Sequence, residues 1–234
     1  MMKKQILILV EGLTDLIFVS TYLEKMCGAI KNIGKNNFSL NNEQVSNFLK
    51  NDHYLFDIIA VGGCSCFSTE HVPFIKNYLD YQSSDFEIIV ITDADDRCEE
   101  DVVSSIQIER VSFVNGSYVD NNYRTSSGLV ISCKSFLRII PIDRPGALET
   151  VAMESARSEE PAIVNEAENI INNLNIHAVK FFTKSRHFLK GKFGQTFLLL
   201  NPEAPGSSLK RVVCSLDMSE PTIARNFDFL QKYI

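Results

Sequence analysis

The sequence predicts an α/β fold in which helices cover a parallel sheet, and three observations carry that reading. Residues 5–10, 56–61 and 86–91 form short apolar runs of strand length, as expected of strands buried on both faces. Between and after them lie stretches with apolar residues at helical spacing, the alternation that a parallel sheet with crossover helices requires. The runs end in Glu11-Gly12, Gly62-Gly63 and Asp93-Ala94-Asp95, which a parallel sheet gathers on the edge where ligands bind.

Taken in order, the first run is followed by Leu16, Ile17, Val19, Tyr22 and Leu23, a helical stripe that ends near Met26, with Thr14 as a candidate N-cap. Residues 28–52 are polar and rich in Asn, and read as an insertion around a short helix at 42–50. Helices are expected at 69–81 and 99–110. Residues 114–127 hold Asn115-Gly116, Asn121-Asn122 and Ser126-Ser127 and read as loop or turn. Strands at 129–132 and 136–142 follow, then Pro145-Gly146 and helices at 147–156 and 161–174, the second with Pro161 in its first turn. A helix at 222–233 closes the chain. A boundary near residue 143 divides a core, residues 1–143, from a smaller helical or α+β extension, residues 144–234, packed on it.

Composition narrows the function. The 234 residues are 45% hydrophobic and 22% charged, with a net charge of −6, which excludes a strongly basic protein that coats nucleic acid. The six cysteines form no Cys-x-x-Cys pair, so reduced core thiols are favoured over a disulfide framework, and for Cys64 and Cys66 over zinc. The apolar run after Met1-Met2-Lys3-Lys4 is too short for a signal sequence, and no stretch reaches the ~20 apolar residues of a membrane span. A cytoplasmic protein without membrane contact is expected.

The chemistry concentrates in two strings, Glu11-Gly12-Leu13-Thr14-Asp15 after the first strand and Asp93-Ala94-Asp95 after the third. Mg²⁺ prefers oxygen ligands and needs only one or two carboxylates beside substrate phosphate. Glu11, Asp93 and Asp95 are therefore candidate metal ligands, weighed against helix capping, to which Asp96 is assigned. Asp15 lies in a first helical turn, where an acid favours the helix dipole but can also support a metal-bound water. Glu149 is a further acid in the same kind of position. Residues 180–192 supply Lys184, Arg186, Lys190 and Lys192 among phenylalanines, with Gly191 and Gly194 suggesting a mobile loop. These cations are candidate phosphate contacts, and the mixture with aromatics suits nucleic acid as well as an ordinary solvated surface. His53, His71, His177 and His187 show no ligand spacing, and neither Gly-x-x-x-x-Gly-Lys-Ser/Thr nor Gly-x-Ser-x-Gly occurs.

Strand-Glu-Gly-x-x-Asp followed by strand-Asp-x-Asp, with Gly62-Gly63 between, resembles the Toprim domain of topoisomerases, DnaG-type primases, OLD nucleases and small ribosomal-RNA maturation nucleases over residues 5–110. Gly146-Ala-Leu-Glu149 and residues 190–199 are similar to small bacterial Toprim-related proteins. The resemblance implies a Toprim-like core binding Mg²⁺ or Mn²⁺ through Glu11, Asp93 and Asp95, with Glu11 a ligand or the proton-transfer residue; Glu149, by its place in a first helical turn, is a candidate additional ligand. It gives Gly12, Asp15, Gly62 and Gly63 positions beside the ligand, and the basic segment offers Lys184 or Lys192 to stabilise developing charge. The activity it implies is a metal-dependent phosphodiesterase acting on DNA or RNA. The alternative is a metal- or nucleotide-binding component of a defence or regulatory complex, without turnover. A separate ATPase or a second copy of the chain is the expected partner.

Overall fold

Alternation of side chains along β1 (Lys4–Val10) builds the molecule on both sides of one sheet. Ile6, Ile8 and Val10 enter one hydrophobic cluster, and Leu7 and Leu9 enter a second on the opposite face, as the period of two along a strand demands. The computed structural model describes residues 3–32, 45–68, 73–174, 184–201 and 209–234.

After β1 come α1 (Leu13–Met26), β2 (Ile30–Lys31), β3 (Val45–Lys50) and β4 (Tyr54–Ala60). They are followed by α2 (Pro73–Asp80), β5 (Phe86–Asp93), α3 (Glu99–Ser105), β6 (Tyr118–Arg124) and β7 (Val130–Ile140). The remaining described elements are α4 (Leu148–Glu159), α5 (Pro161–Leu174), α6 (Ser185–Leu200), α7 (Leu209–Ser215), α8 (Pro221–Phe227) and a final 3₁₀ segment, Asp228–Tyr233. The sheet order is β2-β3-β4-β1-β5-β7-β6. The four inner strands β4-β1-β5-β7 are parallel, and β2, β3 and β6 add antiparallel edges. The α/β class follows from sequence and structure alike.

The chain leaves β1 toward β4 and returns across it to β5. The strand order therefore reverses between β1 and β5, and at such a switch point a crevice opens beyond the carboxyl ends of the strands. Glu11 directly follows β1, and Asp93 ends β5.

Several expected elements differ. Residues 45–50 form β3, not a helix: Val45 to Lys50 pairs antiparallel with Ala60 to Leu55 of β4. Asn51 closes this hairpin, its Oδ1 accepting from the N–H groups of His53 and Tyr54 at 3.1 and 2.9 Å. An open sheet edge thus overrides the polar character of the surrounding stretch, 28–52. Residues 118–124, read as loop, are β6, whose outward positions are polar because it is an edge strand. The two strands expected from 129 to 142 are one, β7; Ser135 within it is buried but bonded to Asn121 Nδ2 at 3.0 Å and to the carbonyl of Ser112. Helix α3 stops at Ser105, after which Gln107 N–H pairs with Phe67 O at 2.8 Å. The basic segment 180–192, expected in part as a mobile loop, is helical from Ser185 as the start of α6 (Ser185–Leu200) despite Gly191 and Gly194, because Phe193 and Phe197 are drawn into the core; residues 180–183 lie outside the described residues. Helix α1 starts two residues early, with Gly12 rather than Thr14 at the N-cap. The closing helix is α8 plus the 3₁₀ segment. The expected helix at 69–81 is described only from Pro73, because 69–72 lie outside the described residues.

Beyond residue 143 the described residues form helices and no strand. Val151, Ala152, Phe193, Val213, Ile223 and Phe227 join the cluster that holds Ile6, Ile8 and Val10, so this part of the chain shares a core with the sheet. Among the described residues, no helix is long and apolar enough to cross a membrane.

The C-terminal segment is tied to the amino end of the sheet by Glu87, 5% exposed. Its carboxylate accepts from Lys4 Nζ at 2.5 Å, Lys232 Nζ at 2.7 Å and Tyr233 Oη at 2.6 Å. Burial opposes its ionisation, yet the bonds from Lys232, Lys4 and Tyr233 prevail and hold its pKa below the ordinary 4.5. A depressed carboxylate contributes stability above its unfolded pKa and loses it as pH falls through the folded one. E87Q is therefore expected to flatten the loss of stability below about pH 4.5, and at pH 7 to cost about 2 kcal/mol in urea unfolding. That is less than the ~3–5 kcal/mol of a fully buried pair, because the side chains of Lys4 and Lys232 are 39% and 36% exposed.

Candidate functional site

Glu11 stands at the switch point because β1 ends there, and its main chain is fixed by the glycine pair beyond β4. The N–H groups of Gly62 and Gly63 both donate to Glu11 O at 3.0 Å. Both glycines have positive φ, 98° and 136°, the conformation that favours glycine. The side chain of Glu11 is 3% exposed and points to the neighbouring strand. Its Oε1 accepts from Thr92 Oγ1 at 2.5 Å and Asp93 N–H at 3.0 Å. Its Oε2 is buried without a hydrogen-bond partner.

Asp93 is also 3% exposed. Its Oδ1 accepts from Leu148 N–H, at the start of α4, at 2.9 Å, and its carbonyl accepts from Arg97 Nη2 at 2.9 Å. Asp95 follows with φ 50°, a left-handed turn that Asp tolerates better than most residues. It is held there by a two-way bridge to the glycine before α4, Asp95 N–H to Gly146 O at 2.6 Å and Gly146 N–H to Asp95 O at 2.9 Å. The Asp-x-Asp turn and the Pro145-Gly146 turn are thus one structural unit.

Asp15 Oδ2 accepts from Gly12 N–H at 2.8 Å. Gly12 is extended, and a Cβ there would lie 3.5 Å from Asp15 Oδ2, an ordinary contact; close approach to a ligand is not what the local backbone requires of it. Part of Asp15 is open to solvent, but its carboxyl group faces inward. Burial and the charges of Glu11 and Glu149 push its pKa up to about 7. Burial, with Asp15, Glu11 and Glu149, raises Asp93 well above the usual carboxylate range. Glu149, 5% exposed in the first turn of α4, completes the group.

The cations come from the Asp-x-Asp turn and from α6. Arg97 Nη2 lies 3.9 Å from Glu11 Oε1. Arg186 reaches three acids, with Nη1 3.1 Å from Asp95 Oδ2 and Nη2 3.3 Å from Asp93 Oδ2 and 3.6 Å from Glu11 Oε2. Lys190 Nζ is 4.0 Å from Glu149 Oε1. Burial works against the charge of Arg186, but Asp95, Asp93, Glu11 and Glu149 raise its pKa above the ordinary arginine value. Beside the acids opens a cavity of about 600 Å³ lined by Cys64, Asp95, Asp96, Arg97, Lys184 and Arg186, among others. Lys192 does not line it; it lines a separate cavity of about 620 Å³ with Met153, Glu154 and Phe188.

The fold therefore brings together Glu11, Gly12, Asp15, Gly62, Gly63, Asp93, Asp95, Glu149 and Lys184, and sets Lys192 apart. Sequence reasoning did not single out Arg97, and it gave Arg186 no more weight than its neighbours. The signal for Arg97 is its place two residues after Asp95; Arg186 has no local signal, because only tertiary packing aims α6 at the acids. As arranged, no group of three or more His, Cys, Asp or Glu among the described residues is disposed to hold a metal ion.

The chain matches the family described as "Protein of unknown function (DUF3226)" over residues 5–234. It belongs to that family. None of the curated proteins compared with it matches. Among solved structures it is similar to the hypothetical protein PH0156 from Pyrococcus horikoshii OT3, at 21% identity and a TM-score of 0.47, over 98% of this chain and 93% of that one.

Two outcomes are expected of the DUF3226 chain. A Cβ at Gly146, where φ is 143°, would lie 2.8 Å from Thr150 Oγ1 and 3.3 Å from Pro141 Cδ. G146A should therefore cost about 1–3 kcal/mol in denaturant unfolding. For Asp15, the folded pKa is raised, so the proton stabilises the fold at low pH and that contribution is lost as pH rises from 3.8 to about 7. In EDTA, D15N should be more stable than wild type at pH 8 by thermal unfolding, and the difference should close toward pH 4.

Proposed function

We propose that the crevice between β1 and β5 is a Toprim-type divalent-cation site, for Mg²⁺ or Mn²⁺, and that the protein is a phosphodiesterase acting on DNA or RNA. One observation carries the reading. Glu11 and Asp93 are both 3% exposed, at the carboxyl ends of adjacent parallel strands, and a Glu11 oxygen is left without a hydrogen-bond partner. Carboxylates buried so close together are costly unless a cation meets them. Oxygen donors of this kind suit a hard divalent ion. Glu11, Asp93 and Asp95 would hold it, with Glu149 beside them.

When bound, such an ion neutralises phosphate charge and lowers the pKa of a coordinated water. The chain's own part is positioning. Gly62 and Gly63 fix the Glu11 carbonyl, Thr92 and the Asp93 N–H fix its carboxylate, and Leu148 N–H fixes Asp93. Lys184 and Arg97 line the adjoining cavity, where they suit phosphate oxygens; Arg97 Nε is buried without a partner there. The free thiols suit a reducing, cytoplasmic setting.

A second reading, a metal- or nucleotide-binding component without turnover, is favoured by Arg186, which already pairs with three of the acids. In that reading a separate ATPase or a second copy of the chain would be the partner. Incubation with single- and double-stranded DNA and RNA in Mg²⁺ or Mn²⁺ separates the two. Cleavage by wild type that falls at least 100-fold in the D93A/D95A double variant is the expected result. Metal binding without cleavage of any substrate would move the assignment to the binding component. No metal binding would remove the metal reading.

A further inference from the structure

Resting on the metal reading, the inference concerns Arg186, whose guanidinium stands where the acids converge. It is the side chain that joins Glu11, Asp93 and Asp95, at 3.6, 3.3 and 3.1 Å. These acids lie at the ends of β1 and β5 and in the turn after β5, whereas Arg186 comes from α6 and is the second residue of that helix. Its side chain is 35% exposed and lines the cavity of about 600 Å³ that it shares with Arg97 and Lys184. It therefore has somewhere to go.

The fit of Arg186 is incomplete. A guanidinium is planar and directs its donors in a fixed fork. Of the three acids, the two Nη atoms are within 3.5 Å of Asp93 and Asp95 but not of Glu11, whose Oε2 is buried with no hydrogen bond. A divalent ion carries twice the charge and accepts oxygens from several directions. The ion and the guanidinium repel and compete for the same carboxylates, so they exclude each other.

We propose that Arg186 is a built-in counter-ion, which takes the cation's place in the metal-free protein and must be displaced into the neighbouring cavity before a divalent ion binds. The acids thereby keep a counter-charge without metal, and the affinity for metal is lowered by the work of removing Arg186. Once displaced, the guanidinium sits with Arg97 and Lys184 on the side where phosphate would enter.

Mn²⁺ binding to the EDTA-treated full chain, read as free Mn²⁺ by electron paramagnetic resonance, tests this apart from activity. R186Q should bind Mn²⁺ at least about 10-fold more tightly than wild type. K76Q, with the same charge change on α2 in an ion pair with Glu109, should bind as wild type does. R186Q should also melt at a lower temperature than wild type in EDTA and gain more from Mn²⁺. R186K keeps the charge but lacks the fork, so its affinity should fall between the two, and it serves where R186Q does not fold. Wild type binding Mn²⁺ as tightly as R186Q or R186K would overturn the counter-ion role and leave the metal reading intact. Failure of wild type, R186Q and R186K all to bind would overturn both.

Discussion

Negative charge buried at the carboxyl ends of β1 and β5 is the constraint around which the rest of this protein is arranged. Glu11 and Asp93 are almost fully buried, and a buried carboxylate survives only with donors or cations around it. The fold supplies them from every direction. The glycine pair beyond β4 holds the Glu11 carbonyl, Thr92 and the Asp93 N–H hold its carboxylate, and α4 offers Leu148 N–H to Asp93. Arg97 and Arg186 bring positive charge from two different elements. Burial and the neighbouring acids nevertheless raise the pKa values of Asp15 and Asp93, so the neutralisation is partial.

The two ends of the sheet solve opposite problems. At the amino end, Glu87 is buried too, but Lys4, Lys232 and Tyr233 meet it with three bonds and its pKa is lowered. Its chemistry is complete, and it anchors the C-terminal segment. At the carboxyl end the carboxylates of Glu11, Asp15, Asp93, Asp95 and Glu149 outnumber the cations paired with them, Arg97, Arg186 and Lys190, and a cavity opens beside them. A saturated network reads as structure and an unsaturated one as a site. Helix α6 links the fold to that site, since Phe193 and Phe197 seat it in the core while Arg186, near its start, enters the acids.

Much of this was legible in the sequence. The inner strands were marked by continuous apolar runs, and the site by the residues that end them, since a parallel sheet must bring those ends together. The edges were less legible. Residues 45–50 lie inside the polar, Asn-rich stretch 28–52, and residues 118–124 carry Asp120, Asn121 and Asn122; both become strands by pairing with β4 and β7. The glycines of α6 misled in the same way, because burial of Phe193 and Phe197 outweighs local propensity.

The sequence by itself determined the α/β class, the parallel inner sheet and the gathering of Glu11, Asp15, Asp93 and Asp95 at one edge, because local apolar pattern and strand direction suffice for these. Only the tertiary structure decided which cations meet those acids. Lys184 and Lys192 are eight residues apart in the chain, yet they line different cavities, and Arg186 reaches the acids because α6 is packed to point it there. A strand's ends follow from its own residues, whereas the aim of a long side chain on a distant helix depends on the docking of that helix, which is a property of the whole core.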